Sequence, residues 1–361
     1  MFRVALLHYW LTNLRGGEKV LVELAGLYPD ADIFTHAYDA SKMAGVFGKH
    51  KIYETFIGKL PLGRKHCQKY LPLMPLALQQ LNLDAYNLII SSESGPIKGI
   101  RKPAGAKHIC YCHTPMRYLW DMYDDYYRNT GFPGKIAMSL FKHYLRNYDL
   151  KSATSVDYFI ANSNFVRERI KRIYGRESVV IHPPVKTYFF QSGQYEKKDY
   201  YVYAGQLISY KHPELAVQAC RKLGRRLVVI GNGNMKEELQ RIAGSGITFL
   251  GRASDEDMRR CYAEAQALIF PGVEDFGIVP VEAQAAGTPV IALGKGGALE
   301  TVTPNTTGLF FQECTVESLV EAILEFESRT WDSQSCRKHA DQFSNSVFRH
   351  KMQEFVESVS N

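Results

Sequence analysis

The chain repeats one pattern, in which a short apolar run ends in a glycine or small polar turn and is followed by a helical stretch. In the second half the apolar runs are residues 201–204, 227–230, 247–250, 267–270 and 290–293. Short continuous apolar runs are typical of buried parallel strands, and glycines after them suit ligand loops. The first half repeats the pattern at residues 4–7, 87–91, 107–112 and 158–161. We therefore predict an α/β protein of two doubly wound domains that face each other across a cleft.

The domain boundary is predicted at a double proline. Pro183 and Pro184 follow an apolar run and precede a polar stretch that continues to Asp199. A chain of 361 residues is long enough for two cores. We place the first domain at residues 1–184 and the second at 185–340. Residues 341–361 form a last helix, predicted to cross back to the first domain, with one apolar face made of Phe348, Met352, Phe355, Val356 and Val359.

Composition limits the compartment. The seven cysteines have no paired C-x-x-C spacing, which argues against a disulfide framework and against a zinc site. The first residues read as a strand and not as a secretion signal, and no apolar run is long enough to cross a membrane. We expect a cytoplasmic protein.

Basic residues are concentrated in the first half of the chain. Residues 42–69 contain seven Lys or Arg and one acid, Glu54, interleaved with apolar and aromatic side chains. Such a run is either a solvated face or a surface that rests on anionic lipid headgroups or a lipid diphosphate. No nucleic-acid module pattern is visible, so nucleic acid is not expected as a partner. We predict a peripheral association with the inner face of the membrane.

Residues 270–282, F-P-G-V-E-D-F-G-I-V-P-V-E, combine a strand end, a tight loop and a helix start. Backbone N–H groups of Phe276, Gly277 and Ile278 are then placed to meet an anion. Glu274 lies just before them, and Glu282 is predicted in the first helical turn. A carboxylate there also complements the helix dipole, so simple capping is the alternative for Glu282.

Two further positions in the first half point to a ligand. Gly16 and Gly17 follow a strand and open a helix, a combination that allows close backbone approach to a phosphate or sugar. A bare glycine pair is weak support alone. His113 ends the strand at residues 107–112, and Pro115 prevents further pairing, so its side chain is expected in the ligand crevice. A purely structural histidine is the alternative.

With A-A-G-T-P-V-I-A and G-G-A-L-E-T-V after it, the 270–282 stretch resembles the Glu-x7-Glu signature of the retaining family-4 glycosyltransferases. The resemblance covers nearly the whole chain and implies the GT-B fold of two Rossmann-like domains. It implies that Glu274 touches the donor sugar, that His113 hydrogen-bonds this sugar or its developing charge, and that Lys211 faces the diphosphate. The donor nucleotide is then contacted by Gly16, Gly17, Gln206, Gly233, Gly251, Arg252, Phe276, Gly277, Ile278 and, through ribose hydroxyls, Glu282.

The segment H-T-P-M-R-Y-L-W-D from His113 and the sequence F-G-I-V-P-V-E resemble the branch of O-antigen and capsule mannosyltransferases that use GDP-mannose. The chain departs from the family at Gln206, where an arginine usually stands six residues before the position of Lys211. A neutral amide does not neutralise a leaving diphosphate. Either Arg252 substitutes, turnover is slow, or the chain has drifted toward binding.

The reaction implied is the retaining transfer of a hexose, α-mannose from GDP-mannose, onto a lipid-diphosphate-linked or oligosaccharide acceptor of a growing polysaccharide. No carboxylate nucleophile is assigned, and the absence of an Asp-x-Asp clamp in the sequence leads us to expect no essential metal and no cofactor besides the donor. A sugar-nucleotide epimerase of GT-B fold and a catalytically weak sugar-nucleotide or glycan-binding subunit are the alternatives. A dehydrogenase is disfavoured because no Gly-x-Gly-x-x-Gly opens a helix.

Overall fold

The structure, a computed structural model, describes residues 3–360 and separates them into two compact units. Residues 3–182 and 349–360 form the first unit, and residues 183–348 form the second. Each unit is built on one sheet with parallel strand pairing and helices around it. The predicted α/β class of two doubly wound, Rossmann-like units is therefore confirmed.

The strand order changes direction once in each sheet. Within residues 3–360, the first sheet has the order β3-β2-β1-β4-β5-β6-β7 and the second the order β10-β9-β8-β11-β12-β13. In the first sheet, β2 and β3 lie on one side of β1, and β4 pairs with the other side of β1 and is followed by β5, β6 and β7. In the second sheet, β11 pairs with β8 in the same way. Open parallel sheets bind ligands at such switch points. The strands are β1 Val4–His8, β2 Asp32–Thr35, β3 Ile52–Glu54, β4 Leu88–Glu93, β5 Lys107–Cys112, β6 Tyr158–Ala161, β7 Ser178–Val180, β8 Tyr201–Ala204, β9 Leu227–Ile230, β10 Ile247–Gly251, β11 Leu268–Phe270, β12 Val290–Leu293 and β13 Gly308–Phe311.

Helices connect these strands. The α-helices are α1 Gly16–Leu27, α2 Ala40–Met43, α3 Gly63–His66, α4 Met74–Leu78, α5 Tyr123–Arg128, α6 Phe132–Thr154, α7 Asn164–Tyr174, α8 Thr187–Gln191, α9 Pro213–Leu223, α10 Lys236–Ile242, α11 Asp255–Glu264, α12 Ile278–Ala285, α13 Ala298–Thr301, α14 Val316–Glu327, α15 Ser333–Ala340 and α16 Asn345–Ser360. Short 3-10 helices cover Phe56–Lys59, Cys67–Leu73, Ser209–Lys211 and Asp341–Phe343. Within residues 3–360 no helix has both the length and the apolar character that crossing a membrane requires.

Ser163 caps α7, because the N–H of Val166 donates to the Ser163 hydroxyl at 3.1 Å. The stretch from Trp331 to Asp341 is mostly polar in sequence, yet it contributes to the core. It contains α15, which packs on α12 and buries Cys336 and Ala340 completely. Two small residues four positions apart are enough to seat one face of an otherwise polar helix.

A buried charged cluster connects the end of β4 to α6. The Lys98 ammonium, 1% exposed, lies 2.6 Å from the Glu93 carboxylate and also contacts that of Asp149. Asp149 accepts further hydrogen bonds from the Trp120 indole at 2.7 Å and from the Tyr174 hydroxyl at 3.0 Å. Burial raises the pKa of Glu93 to about 7. One buried cation therefore holds two carboxylates together in the core of the first unit.

Replacing Lys98 by Met should destabilise the first unit by about 3–5 kcal/mol, because the Glu93 and Asp149 carboxylates would be left buried without their cation. The matched control is Lys102→Met, which breaks the partly exposed ion pair with Asp157 at 2.6 Å and should cost less than about 1 kcal/mol. Urea unfolding followed by circular dichroism measures both. Equal losses in the two variants would contradict this account of the cluster.

Candidate functional site

In the first unit, the carboxyl ends of β1, β4 and β5 bring together His8, Ser92 and His113. The Ser92 hydroxyl oxygen lies 3.1 Å from His8 Nδ1 and 2.8 Å from His113 Nε2. Gly17 in the first turn of α1 lies against the same group, since a methyl group added there would be 3.4 Å from His113 Nε2 and 2.8 Å from the Tyr9 hydroxyl. Two of the predicted ligand positions, Gly17 and His113, are therefore neighbours at the switch point of the first sheet.

The carboxylate of Glu18 determines which ring nitrogen of His8 carries the proton, and through Ser92 also the tautomer of His113. Within residues 3–360, His8 Nε2 is buried without a hydrogen-bond partner, and it lies 3.8 Å from Glu18 Oε1. A proton on Nε2 is attracted electrostatically to the carboxylate, whereas a lone pair on Nε2 would be repelled by it. His8 Nδ1 then accepts a hydrogen bond from the Ser92 hydroxyl, and the Ser92 oxygen accepts one from the N–H at Nε2 of His113.

His113 is consequently a neutral imidazole that presents Nδ1 as an acceptor. Loss of hydration and the nearby His8 ring lower the pKa of His113 to about 3. A neutral ring in this tautomer can accept a hydrogen bond from a hydroxyl group. Sequence reasoning missed His8 and Ser92. A histidine at the end of the first strand was the available signal for His8, whereas the contact of Ser92 depends on the strand order.

In the second unit, the loops after β8 and β11 meet at the switch point and place Lys211 against Glu274. The Lys211 ammonium lies 2.6 Å from Glu274 Oε1, and both side chains are about one-fifth exposed, at 22% and 18%. The backbone of Glu274 is fixed from the loop after β12, because the N–H of Gly297 donates to its carbonyl at 2.8 Å. The residue predicted to face the diphosphate, Lys211, and the residue predicted to touch the sugar, Glu274, are thus in direct contact.

The loops after β8 and β9 pack backbone against backbone. The N–H of Leu207 donates to the Asn232 carbonyl at 3.0 Å, and a methyl group added at Gly233 would lie 2.1 Å from the Leu207 carbonyl oxygen. Only glycine fits that approach. Gly233 therefore holds the loop that carries Gln206 and Lys211 in place.

Other predicted residues of the second unit lie at or after the ends of β8, β9 and β10. The N–H of Gly231 donates to the carbonyl of Gly251 at 2.8 Å, which links the ends of β9 and β10. Gln206 and Arg252 are exposed on these strand-end loops. Among the described residues, no three His, Cys, Asp or Glu side chains are grouped so that they would hold a metal ion.

The helix α12 begins one turn before Glu282. Gly277 has φ +97° and caps the helix, which starts at Ile278. Phe276 before it is buried. Glu282 therefore lies in the second turn, and its predicted first-turn position is wrong. The carboxylate is 6% exposed, with the Tyr262 hydroxyl 3.5 Å from Oε2. Capping of the helix dipole, which acts within the first turn, does not explain a buried acid there.

Comparison with known families gives two matches that divide the chain. The family described as Glycosyltransferase Family 4 matches residues 14–189, and the family described as Glycosyl transferases group 1 matches residues 184–343. The first match contains Gly16, Gly17 and His113, and the second contains Lys211, Glu274 and Glu282.

Curated relatives match over shorter stretches. A GDP-mannose-dependent monoacylated alpha-(1-6)-phosphatidylinositol monomannoside mannosyltransferase of Corynebacterium glutamicum is 40% identical over 111 residues, 28% of this chain and 29% of that protein. A GDP-mannose-dependent alpha-(1-6)-phosphatidylinositol monomannoside mannosyltransferase of Mycobacterium tuberculosis is 33% identical over 138 residues, 33% of this chain and 36% of that protein. The chain thus matches 29% and 36% of the length of these relatives.

Solved structures match over the whole length at low identity. HepE of Anabaena in complex with UDP and glucose superimposes with a TM-score of 0.71 at 16% identity, covering 99% of this chain and 100% of that one. Sucrose-phosphate synthase of Thermosynechococcus elongatus gives a TM-score of 0.72 at 17% identity, covering 99% of each chain. These similarities concern the fold.

The tautomer of His113 can be measured directly. Nitrogen-15 NMR of histidine-labelled protein at pH 7 should show His113 as a neutral ring protonated at Nε2, because this N–H donates a hydrogen bond to the Ser92 hydroxyl oxygen. His36 is an internal reference, since its Nε2 lies 2.9 Å from the Pro96 carbonyl and must carry a proton. Replacing Ser92 by Ala should give a mixture of His113 tautomers and leave His36 unchanged. The His113→Gln variant assigns the signal, and a wild-type ring protonated at Nδ1 would refute the assignment.

Proposed function

Because the chain belongs to the family-4 glycosyltransferases, which have the GT-B fold, we propose that it transfers a hexose, α-mannose from GDP-mannose, to a lipid-linked or growing polysaccharide acceptor. The Lys211–Glu274 contact of 2.6 Å carries the proposal. It presents a cation suited to a diphosphate beside a carboxylate suited to sugar hydroxyls, at a sheet's switch point. The mannose donor is supported by the names of the curated relatives.

In the proposed reaction the bond between sugar carbon 1 and the diphosphate breaks, and negative charge grows on the diphosphate. The Lys211 ammonium and the backbone amides at the start of α12 stabilise that charge because they are already oriented. Glu274 holds the Lys211 side chain in place and accepts hydrogen bonds from sugar hydroxyls. The acceptor hydroxyl attacks carbon 1 from the face that the diphosphate leaves, and the departing phosphate oxygen takes its proton. The anomeric configuration is therefore retained.

His113 and Gly17 serve the substrate in a different way. As a neutral ring, His113 accepts a hydrogen bond from a substrate hydroxyl through Nδ1, while the first-turn amides of Gly16 and Gly17, which have no acceptor within α1, are donors for an anion. Burial of the Ser92 group keeps the ring in one orientation. No positive charge on His113 is needed at neutral pH.

A second candidate, a catalytically weak sugar-nucleotide or glycan-binding subunit, is favoured by Gln206. This exposed amide occupies the position of the expected arginine, and Lys211 is already paired with Glu274. Such a subunit would bind the donor with little or no transfer. Turnover therefore separates the two candidates.

We further propose that the protein works at the cytoplasmic face of a membrane, with its basic run of residues 42–69 against anionic lipid. Lys49, Lys51 and Lys65 of this run are exposed. Arg64 is instead held by Glu54 in an ion pair of 2.7 Å. The lysines, and not Arg64, are therefore the residues available to lipid headgroups.

Incubation with GDP-mannose, a lipid-diphosphate-linked oligosaccharide and EDTA tests the reaction. We expect release of GDP and an α-linked mannoside, identified by the anomeric proton signal of the product. A β-linked product or a strict requirement for Mg²⁺ or Mn²⁺ would refute the proposed mechanism. Donor binding without turnover would favour the binding subunit, and an epimerised donor formed without acceptor would favour an epimerase.

Replacing Glu282 by Gln should weaken binding of GDP by about 1.5–3 kcal/mol, roughly 10- to 150-fold in Kd, because charge-assisted hydrogen bonds to ribose hydroxyls would be lost. Isothermal titration calorimetry measures the affinity. The control is Glu321→Gln on the exposed side of α14, which should bind GDP like the wild type. An unchanged Kd in a folded Glu282 variant would make this carboxylate structural.

A further inference from the structure

The first half of α6 exposes a row of large apolar side chains. Phe132, Ile136, Leu140 and Tyr144 are 76%, 52%, 71% and 47% exposed, and their spacing of four places them along one side of the helix. We call these four residues the α6 stripe. It extends over about 18 Å at the helical rise of 1.5 Å per residue. Residues 132–144 are each half-buried or exposed, and Leu145 is the first buried residue of the helix.

An exposed stripe of this length calls for a partner. Helices in proteins owe most of their stability to the packing of an apolar face, and a contiguous exposed apolar patch marks an interaction site. Here the apolar side chains face outward along the first three turns. The stripe is therefore a surface to be covered and not part of the core of the first unit.

Charge identifies the kind of partner. The helix carries Lys135 and Lys142, which are half-buried with their ammonium groups over the rings of Tyr127 and Tyr123. It has no acidic residue before Asp149, whose carboxylate is buried. In the preceding helix α5, Asp125 is paired with Arg128 at 2.9 Å. A symmetric contact between two copies of α6 would bring like charges together. An anionic surface meets no such repulsion.

The 3-10 helix Cys67–Leu73, which contains Lys69 at the end of the basic run, lies beside α6. Leu71 of the 3-10 helix Cys67–Leu73 and Phe141 of α6 pack against one small core cluster of Met116, Leu119 and Leu145. The chain around this 3-10 helix exposes further apolar side chains, namely Leu62 at 66%, Leu73 at 42% and Leu76 at 58%. Exposed apolar and exposed basic residues thus occur together on neighbouring elements. This combination is typical of a segment that lies in the interface of an anionic bilayer.

We propose that the α6 stripe is an apolar anchor that inserts into the interfacial region of an anionic phospholipid bilayer. Phe132 and Leu140 enter among the acyl chains, and the positive charge of Lys135, one turn after Phe132, favours the anionic headgroups. The inference rests on the proposed action at a membrane and adds to it the element that inserts. The lysines of the basic run contribute electrostatic attraction, and the stripe contributes apolar burial that salt does not screen.

Sedimentation with vesicles of phosphatidylglycerol and phosphatidylcholine tests the anchor. The double variant Phe132→Ser, Leu140→Ser should lower the partition coefficient about tenfold or more at low and at high salt, since two apolar side chains no longer insert. The control Leu324→Ser removes a 47% exposed leucine from α14 of the second unit and should bind vesicles like the wild type. Circular dichroism and urea unfolding verify that each variant is folded.

A second set of variants separates this inference from the proposed function. Replacing Lys49, Lys51 and Lys65 by Glu should abolish vesicle binding mainly at low salt. If only this charge variant loses binding, the membrane proposal stands and the anchor is refuted. If the wild type itself does not bind vesicles, both are refuted. Dissociation of a dimer by the stripe variant in analytical ultracentrifugation, without any effect on vesicle binding, would assign the stripe to a second copy and also refute the anchor.

Discussion

Parallel pairing in both sheets is the constraint on which the candidate site depends. In a parallel sheet the carboxyl ends of the strands share one edge, so residues distant in sequence meet there. His8, Ser92 and His113 come from three strands and share one hydroxyl group. Lys211 and Glu274 come from two loops and form one ion pair. In each unit the residues that meet belong to strands at or next to the point where the strand order reverses.

Next to the edge of the first sheet, the buried ion cluster of Glu93, Lys98 and Asp149 supports the same loops. Glu93 ends β4 one residue after Ser92, and its carbonyl accepts the N–H of His113 at 2.8 Å. Its carboxylate is held by Lys98, which also holds Asp149 of α6. The indole of Trp120 donates to Asp149 and ties the loop after His113 to this cluster. The backbone around the histidine is therefore fixed from the core, while the ring itself is fixed by Ser92.

Sequence periodicity predicted the parts of the site that are local in the chain. The strands at residues 107–112 and 201–204 were predicted, and His113 followed from the first of them. The role of Ser92 was not predictable in this way, because its contact with His8 requires β4 to lie beside β1, and strand order is a tertiary property. The position of Glu282 was misjudged for a local reason. Gly277 adopts a positive φ as the helix cap, so α12 starts already at Ile278, early enough to place Glu282 in the second turn.

The substitution at Gln206 changes how charge is shared in the proposed reaction. Lys211 is the cation of the pair, and Glu274 already neutralises it before a donor arrives. A diphosphate that binds there competes with Glu274 for the ammonium, unless sugar hydroxyls occupy the carboxylate at the same time. Both ligands then enter as one molecule, since only a sugar joined to a diphosphate satisfies Lys211 and Glu274 together. A free diphosphate leaves the Glu274 carboxylate facing its charge. The pair, with Gln206 in place of the expected arginine, therefore favours the intact donor over the product nucleotide.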